Sequence, residues 1–245
     1  MNLGYLALEL RRVLREPGTL LFIIGFPGAF YLLEAVIFES QWPARSAIDP
    51  GAVLLPAMAG WGVLISGMLV GARVMNEREA GWQRQLRLTP LTGGGYLLGK
   101  AAVGLLVSIP PPIVVALAAA LFRDVRLDLG GWLFVTLVIT LGGTPFAVLG
   151  LLIGQFGNKK NTQQIIIIGM LVLAIFGGIF IPLDSLPPWF TYVGYATPSY
   201  WLIDLGRAGI EMGGDPMRAG LILLAWTVVL AGAVIWRYRH DSARN

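Results

Sequence analysis

The densest chemistry in this 245-residue chain is a run of acids and bases, Arg73-Val74-Met75-Asn76-Glu77-Arg78-Glu79-Ala80-Gly81-Trp82-Gln83-Arg84-Gln85-Leu86-Arg87-Leu88-Thr89-Pro90-Leu91. Glu77 and Glu79 near the start of a helix and Arg84 and Arg87 near its end suit the helix dipole. Trp82, Leu86 and Leu88 recur at roughly helical spacing, and Pro90 stops the helix. A short charged helix with one apolar edge is what a partner's groove grips; a solvated loop supplying topogenic charge is the alternative. Just downstream, Gly94-Gly95-Tyr96-Leu97-Leu98-Gly99-Lys100 matches the phosphate-cradling pattern G-x-x-x-x-G-K. That pattern needs a preceding strand and a Ser or Thr after the lysine. Here Ala101 follows, and the upstream segment has a helical pattern. The glycines therefore suggest a turn, with Lys100 snorkelling to the head groups, and no ATP site is expected. His240 is the only histidine and cysteine is absent, so neither a metal cluster nor an intramembrane Ser–His pair is expected.

Three further sets of residues carry possible roles. In 2–16, Leu3, Leu6, Leu10, Val13 and Leu14 share one helical arc of about 100°. Arg11, Arg12, Arg15, Glu9 and Glu16 fill the other arc, and Leu8 is the exception. Such a helix lies in the membrane interface with its arginines at anionic head groups, as an anchor or as a contact for a cytoplasmic partner. Between 184 and 218, Trp189, Phe190, Tyr192, Tyr195, Tyr200 and Trp201 crowd a proline-punctuated stretch that suits two short helices, near 188–195 and 199–211. This stretch is either an aromatic belt or a pair of re-entrant helices capping a pathway. Glu34 is the one clear acid inside an apolar segment, about 21 Å along it at about 1.5 Å per residue. It either lines an exit or reaches for the interface.

The elements that must position these residues follow from composition. Apolar residues make up 56% and charged residues 13% of the chain, about half the usual charged share of about 25%. A soluble domain could not cover its surface with so few charges. Six segments, at 20–38, 51–72, 97–122, 132–154, 165–183 and 219–236, approach or exceed the about 20 apolar residues that cross a bilayer. The first exceeds the about 7–15 apolar residues of a secretory h-region and is expected to be retained. Pro110-Pro111-Pro112 and Gly142-Gly143-Thr144-Pro145 should kink the third and fourth. Gly67-Met68-Leu69-Val70-Gly71 and Gly150-Leu151-Leu152-Ile153-Gly154 are both G-x-x-x-G, for close packing within the chain or between two copies. Loops on one side hold 13 Lys and Arg and those on the other hold 5, which puts both termini in the cytoplasm. The expected fold is all-α and integral to the membrane. It is one transmembrane domain over 1–245, with an N-terminal interfacial helix, a cytoplasmic helix after the second span and short re-entrant helices before the last.

These pieces resemble the ABC-2 type permease family, the membrane subunit of ATP-binding-cassette exporters. Glu77-Arg78-Glu79-Ala80-Gly81, then Leu86, Thr89-Pro90-Leu91 and Gly99-Lys100, are similar to that family's E-x-E-x-G…L…T-P-[LV]…G-K stretch. Pro182-Leu183-Asp184-Ser185-Leu186-Pro187-Pro188-Trp189, with Pro198 and Arg207, is a weaker match, and the chain departs from the pattern at Trp82 and Arg84. The resemblance implies an ATPase-coupling role for Glu77, Arg78, Glu79, Gly81, Trp82, Leu86, Thr89 and Pro90. It also implies two permeases, this chain paired with a second copy or a homologous permease, working with two ATPase subunits that bind ATP and magnesium. Closure of the ATPases would push through 76–89 and the N-terminal helix, and substrate would leave between the permeases. Trp189, Phe190, Tyr200 and Glu34 are the candidates for the pathway. The expected location is a bacterial plasma membrane, with lipids but no nucleic acid as further partners. An apolar interior favours a hydrophobic or amphiphilic, drug- or antibiotic-like cargo. A lipid or polysaccharide exporter, or a non-transporting assembly or sensor subunit, is the alternative.

Overall fold

The structure, a computed structural model, describes residues 3–41, 50–81, 85, 92–156, 159–210 and 213–242. Every regular element among these residues is helical. In chain order they are α1 (Leu3–Leu14), α2 (Pro17–Gln41), α3 (Pro50–Glu79), α4 (Gly93–Val107), α5 (Pro110–Phe122) and α6 (Leu129–Leu133). A π-helical turn, Phe134–Val138, leads into α7 (Ile139–Gly142), followed by α8 (Thr144–Phe156) and α9 (Lys159–Phe176). A 3-10 turn, Leu183–Ser185, precedes α10 (Pro188–Tyr195), α11 (Pro198–Ala208) and α12 (Pro216–Ser242).

Five stretches of the described residues are long and apolar enough to cross a membrane: Pro17–Glu39, Gly51–Glu79, Gly93–Phe122, Leu129–Phe156 and Pro216–His240. The third breaks at Ser108 and Ile109, directly before the three prolines, and the fourth at Gly143, as the sequence predicts. Ser108 softens its break by donating from its hydroxyl to the Leu105 carbonyl at 2.7 Å. The π turn in the fourth has no signature in the sequence.

The fifth predicted segment, 165–183, is corrected. Its helix begins earlier and ends at Phe176, and the apolar part, Asn161–Phe176, is shorter than the other five. Gly178, at φ +74°, takes the left-handed conformation that closes the helix. The Ile179 N–H then reaches back to the Ala174 carbonyl at 2.9 Å and that of Gly178 to Ile175 at 3.2 Å, a Schellman cap. The helix stops although the apolar sequence continues.

The second stretch is the axis of the bundle. Its apolar part is 89% buried within the protein, against 22% for the last stretch. The two G-x-x-x-G motifs explain how α8 comes so close to it. A Cβ at Gly154 would stand 2.5 Å from the Gly71 carbonyl oxygen, and one at Gly67 would stand 2.6 Å from the Ala147 nitrogen. Backbone lies on backbone along this seam, so both motifs are used for packing inside the chain. Leucines, isoleucines and valines on the outer faces of α2, α5, α9 and α12 remain exposed, as lipid-facing side chains are.

The first described helix, α1, and the last turns of α12 gather at one end of the bundle. Gly93, at the start of α4, is packed against the Tyr238 ring of α12, and Gly99 of α4 against the Tyr5 ring of α1. At the opposite end, α11 is sunk among the spans. Its Gly206 meets Pro56 of α3 and Ile139 of α7, and its Ser199 hydroxyl donates to the Leu173 carbonyl of α9 at 2.6 Å.

Candidate functional site: a buried ionic cluster where α1, α3 and α4 meet

Three elements meet where the charged run begins: α1, the last two turns of α3 and the first two turns of α4. The helical wheel places Glu9 on the arc of α1 that faces water, and the structure corrects this. Glu9 is 3% exposed and Val13 fully buried, whereas Leu8 and Leu14 are 49% and 60% exposed. The helix turns Glu9 and Val13 into the protein and leaves Leu6 and Leu10 half-buried beside them; Arg11 and Arg15 stay exposed. A period of 3.6 finds an apolar arc, but it does not detect a charged partner elsewhere in the chain.

That partner is Lys100. Rather than snorkelling, it is 2% exposed. Its Nζ donates to Glu9 Oε2 at 2.5 Å and also to Glu77 Oε1. Glu77 is itself 7% exposed and accepts from the Tyr96 hydroxyl at 2.9 Å. Arg12 reaches Glu9 and Glu77, each at 3.3 Å, and Arg73 reaches Glu16 at 3.2 Å. Three carboxylates, Glu9, Glu16 and Glu77, thus face three cations, Arg12, Arg73 and Lys100. The balance matters, because a buried pair that loses one partner leaves an uncompensated charge at a cost of about 3–5 kcal/mol. Burial, with Glu9 and Glu77 close by, pushes the Tyr5 hydroxyl well above the usual phenol range. Its ring centroid lies 6.2 Å from that of Tyr96.

The pattern that mimics a phosphate loop is accounted for here. Gly94 through Lys100 all lie inside α4. Thr92 caps the helix by accepting from the Gly95 N–H at 3.1 Å. The glycines are helical and one of them, Gly99, makes room for Tyr5. The lysine is committed to carboxylates.

The predicted coupling residues separate. Glu77 and Glu79 stand two apart on α3 and so face different directions. Glu77 enters the cluster and Glu79 is exposed. Between them the Arg78 guanidinium donates to the Gln155 carbonyl at the end of α8. Gly81, at φ +68°, ends the helix. Trp82, Leu86, Thr89 and Pro90 lie outside the described residues. Of the cluster, the sequence motif names Glu77 and Lys100. Glu9, Arg73 and Tyr96 escape it, and mutual proximity in the fold is what identifies them. Next to the cluster a crevice of about 330 Å³ is lined by Glu9, Arg12, Glu16, Arg73, Asn76 and Glu77.

At the other end, the predicted helix pair is present as α10 and α11. Trp189 is 54% exposed, and Phe190 stacks on Phe176 with centroids 5.4 Å apart. Tyr200 packs edge-on to Tyr195 and Trp201, at 4.8 and 5.1 Å, and its hydroxyl is pushed up to about 12 by burial, with Tyr195 and Asp204 adding to it. The Trp201 indole donates to the Tyr195 carbonyl at 2.8 Å, so α11 is tied to the end of α10. Glu34 stands apart on α2. It is 8% exposed, and its Oε2 has no hydrogen-bond partner among the described residues.

Known proteins place this arrangement. The sequence pattern that defines the ABC-2 type transporter family matches residues 5–210. A Bacillus subtilis (strain 168) chain that carries the name transport permease YvfS is 29% identical over 217 residues, 88% of this chain and 87% of that one. The Escherichia coli (strain K12) protein named inner membrane transport permease YadH is 27% identical over 167 residues, 66% of this chain and 61% of its own length. The match spans most of α1, the ionic cluster and the α10–α11 pair alike, and the chain is a multi-pass membrane protein that belongs to the ABC-2 type transporter family.

Proposed function

We propose that this chain is the permease subunit of an ATP-driven exporter, carrying a hydrophobic or amphiphilic, drug- or antibiotic-like substrate out of the cytoplasm or inner leaflet of a bacterial plasma membrane. Hydrolysis belongs to a separate ATPase, which holds ATP and magnesium. Two ATPase copies act on two permeases, this chain and either its own copy or a homologue. The ATPase engages residues 76–89 together with α1, both on the cytoplasmic side with the two termini. The observation that carries this reading is the ionic cluster. It ties α1 to both elements that flank the segment 80–92, so that a push on that segment reaches two spans and the interfacial helix together. At the far end the aromatic layer of Trp189, Phe190 and Tyr200 covers the route out, and Glu34 belongs to the span nearest α1 in sequence.

The reading is tested by co-purifying the partner ATPase on this chain and reconstituting both. ATP hydrolysis should rise with some lipophilic compounds in the wild type, and Glu79→Ala or Trp82→Ala should uncouple that rise. If no ATPase co-purifies, the exporter reading fails, and a non-transporting assembly or sensor subunit takes its place.

A further inference from the structure

We infer that Lys100 is a positioning residue that, through Glu9 and Glu77, makes α1, the end of α3 and the start of α4 a single rigid body during the transport cycle. The inference rests on the reading above and deepens it by naming the part that moves as a unit.

Three observations carry it. Lys100, Glu9 and Glu77 are at least nine-tenths buried, and one ammonium bridges two carboxylates from two different helices. An ammonium taken from water holds its partners firmly, because separating them strands a charge in a poorly solvating site. The bridge is also not alone. Arg12 spans Glu9 and Glu77, Arg73 holds Glu16 just beyond α1, the Tyr96 hydroxyl holds Glu77, and the Tyr5 ring sits in the notch left by Gly99. Finally, the location is specific. Glu77 lies three residues before Ala80 and Lys100 eight after Thr92, so the bridge joins the end of α3 to the start of α4, the two helices that flank residues 80–92 in sequence. Two helix ends fixed to one block pass on a displacement rather than absorb it.

The chain contains no cysteine, so spin labels at Leu8→Cys and Leu98→Cys, exposed positions on α1 and α4, report the α1–α4 distance by pulsed electron resonance when the labelled chain is diluted into unlabelled chain. The permease is measured alone, with its ATPase free of nucleotide, and with the ATPase trapped in ATP. The expected result is one narrow distance, unchanged across the three states. A wild-type distance that shifts on trapping overturns the inference, because α1 then moves independently of α4. The charge-balanced variant Glu9→Gln/Lys100→Met separates positioning from folding, since it removes the bridge and one charge of each sign and leaves Glu77 paired with Arg12 and the Tyr96 hydroxyl. It should melt near the wild type and still bind the ATPase. Its distance distribution should broaden, and substrate moved per ATP should fall at least about fivefold, the lower end of ordinary coupling between sites. A charge-balanced variant that couples like the wild type makes the cluster a folding device only, and that also overturns the inference. Failure of the exporter reading is separate, because it appears as a wild type that binds no ATPase while the distance in the permease alone remains measurable.

Discussion

Lys100 shows what a single side chain does here that its neighbours in sequence do not announce. Its place in a G-K dipeptide is legible, but its burial is not, because its first partner, Glu9, lies 91 residues away. Sequence patterns resolve one helix at a time, and a buried ion pair is a property of two. Lys100→Met, leaving Glu9 and Glu77 buried with less compensation, should destabilise the protein by about 3–5 kcal/mol, read as a lower melting temperature of the purified protein. Tyr96→Phe removes the 2.9 Å bond to Glu77 and should cost about 1.5–3 kcal/mol, the range for a hydrogen bond to a charged group. A Tyr96→Phe variant that melts with the wild type would show that water replaces the hydroxyl.

At the scale of elements, the sequence is most informative where proline and glycine act on the backbone directly. The breaks at Ser108 and Gly143 follow from the residues present, and so do the short helices α10 and α11. The G-x-x-x-G pairs are legible as close packing, but which surfaces they join becomes clear only when Gly71 is seen against Gly150 and Gly154. Hydropathy misplaces the end of α9, because Ile179 to Leu183 remain apolar after Gly178 has turned the chain. Gly71→Leu would drive a side chain into the backbone of α8. Overpacking of this kind costs about 1–3 kcal/mol or more, so the variant should lose most of its folded yield. Gly18→Leu, at a position with nothing within 4 Å, should not. Equal yields from the two would contradict the seam between α3 and α8.

For the whole molecule, composition and charge bias already define an all-helical membrane protein, and the structure adds that α1 and the end of α12 lie together at one end. The proposed sidedness, with both termini in the cytoplasm, rests on the 13-to-5 distribution of Lys and Arg. A membrane-impermeant thiol reagent should label Asp215→Cys in intact cells, and Gln85→Cys only after the membrane is opened. The reverse pattern would invert the topology and move the ionic cluster away from any cytoplasmic motor. The separation of the cluster at one end from the aromatic layer at the other is what makes a power-driven permease the natural reading. Its most direct test is the rate of ATP hydrolysis by the partner ATPase in liposomes, with and without this chain, across a panel of lipophilic compounds. Hydrolysis should depend on this chain and rise with particular compounds. Hydrolysis indifferent to the chain's presence would contradict that reading.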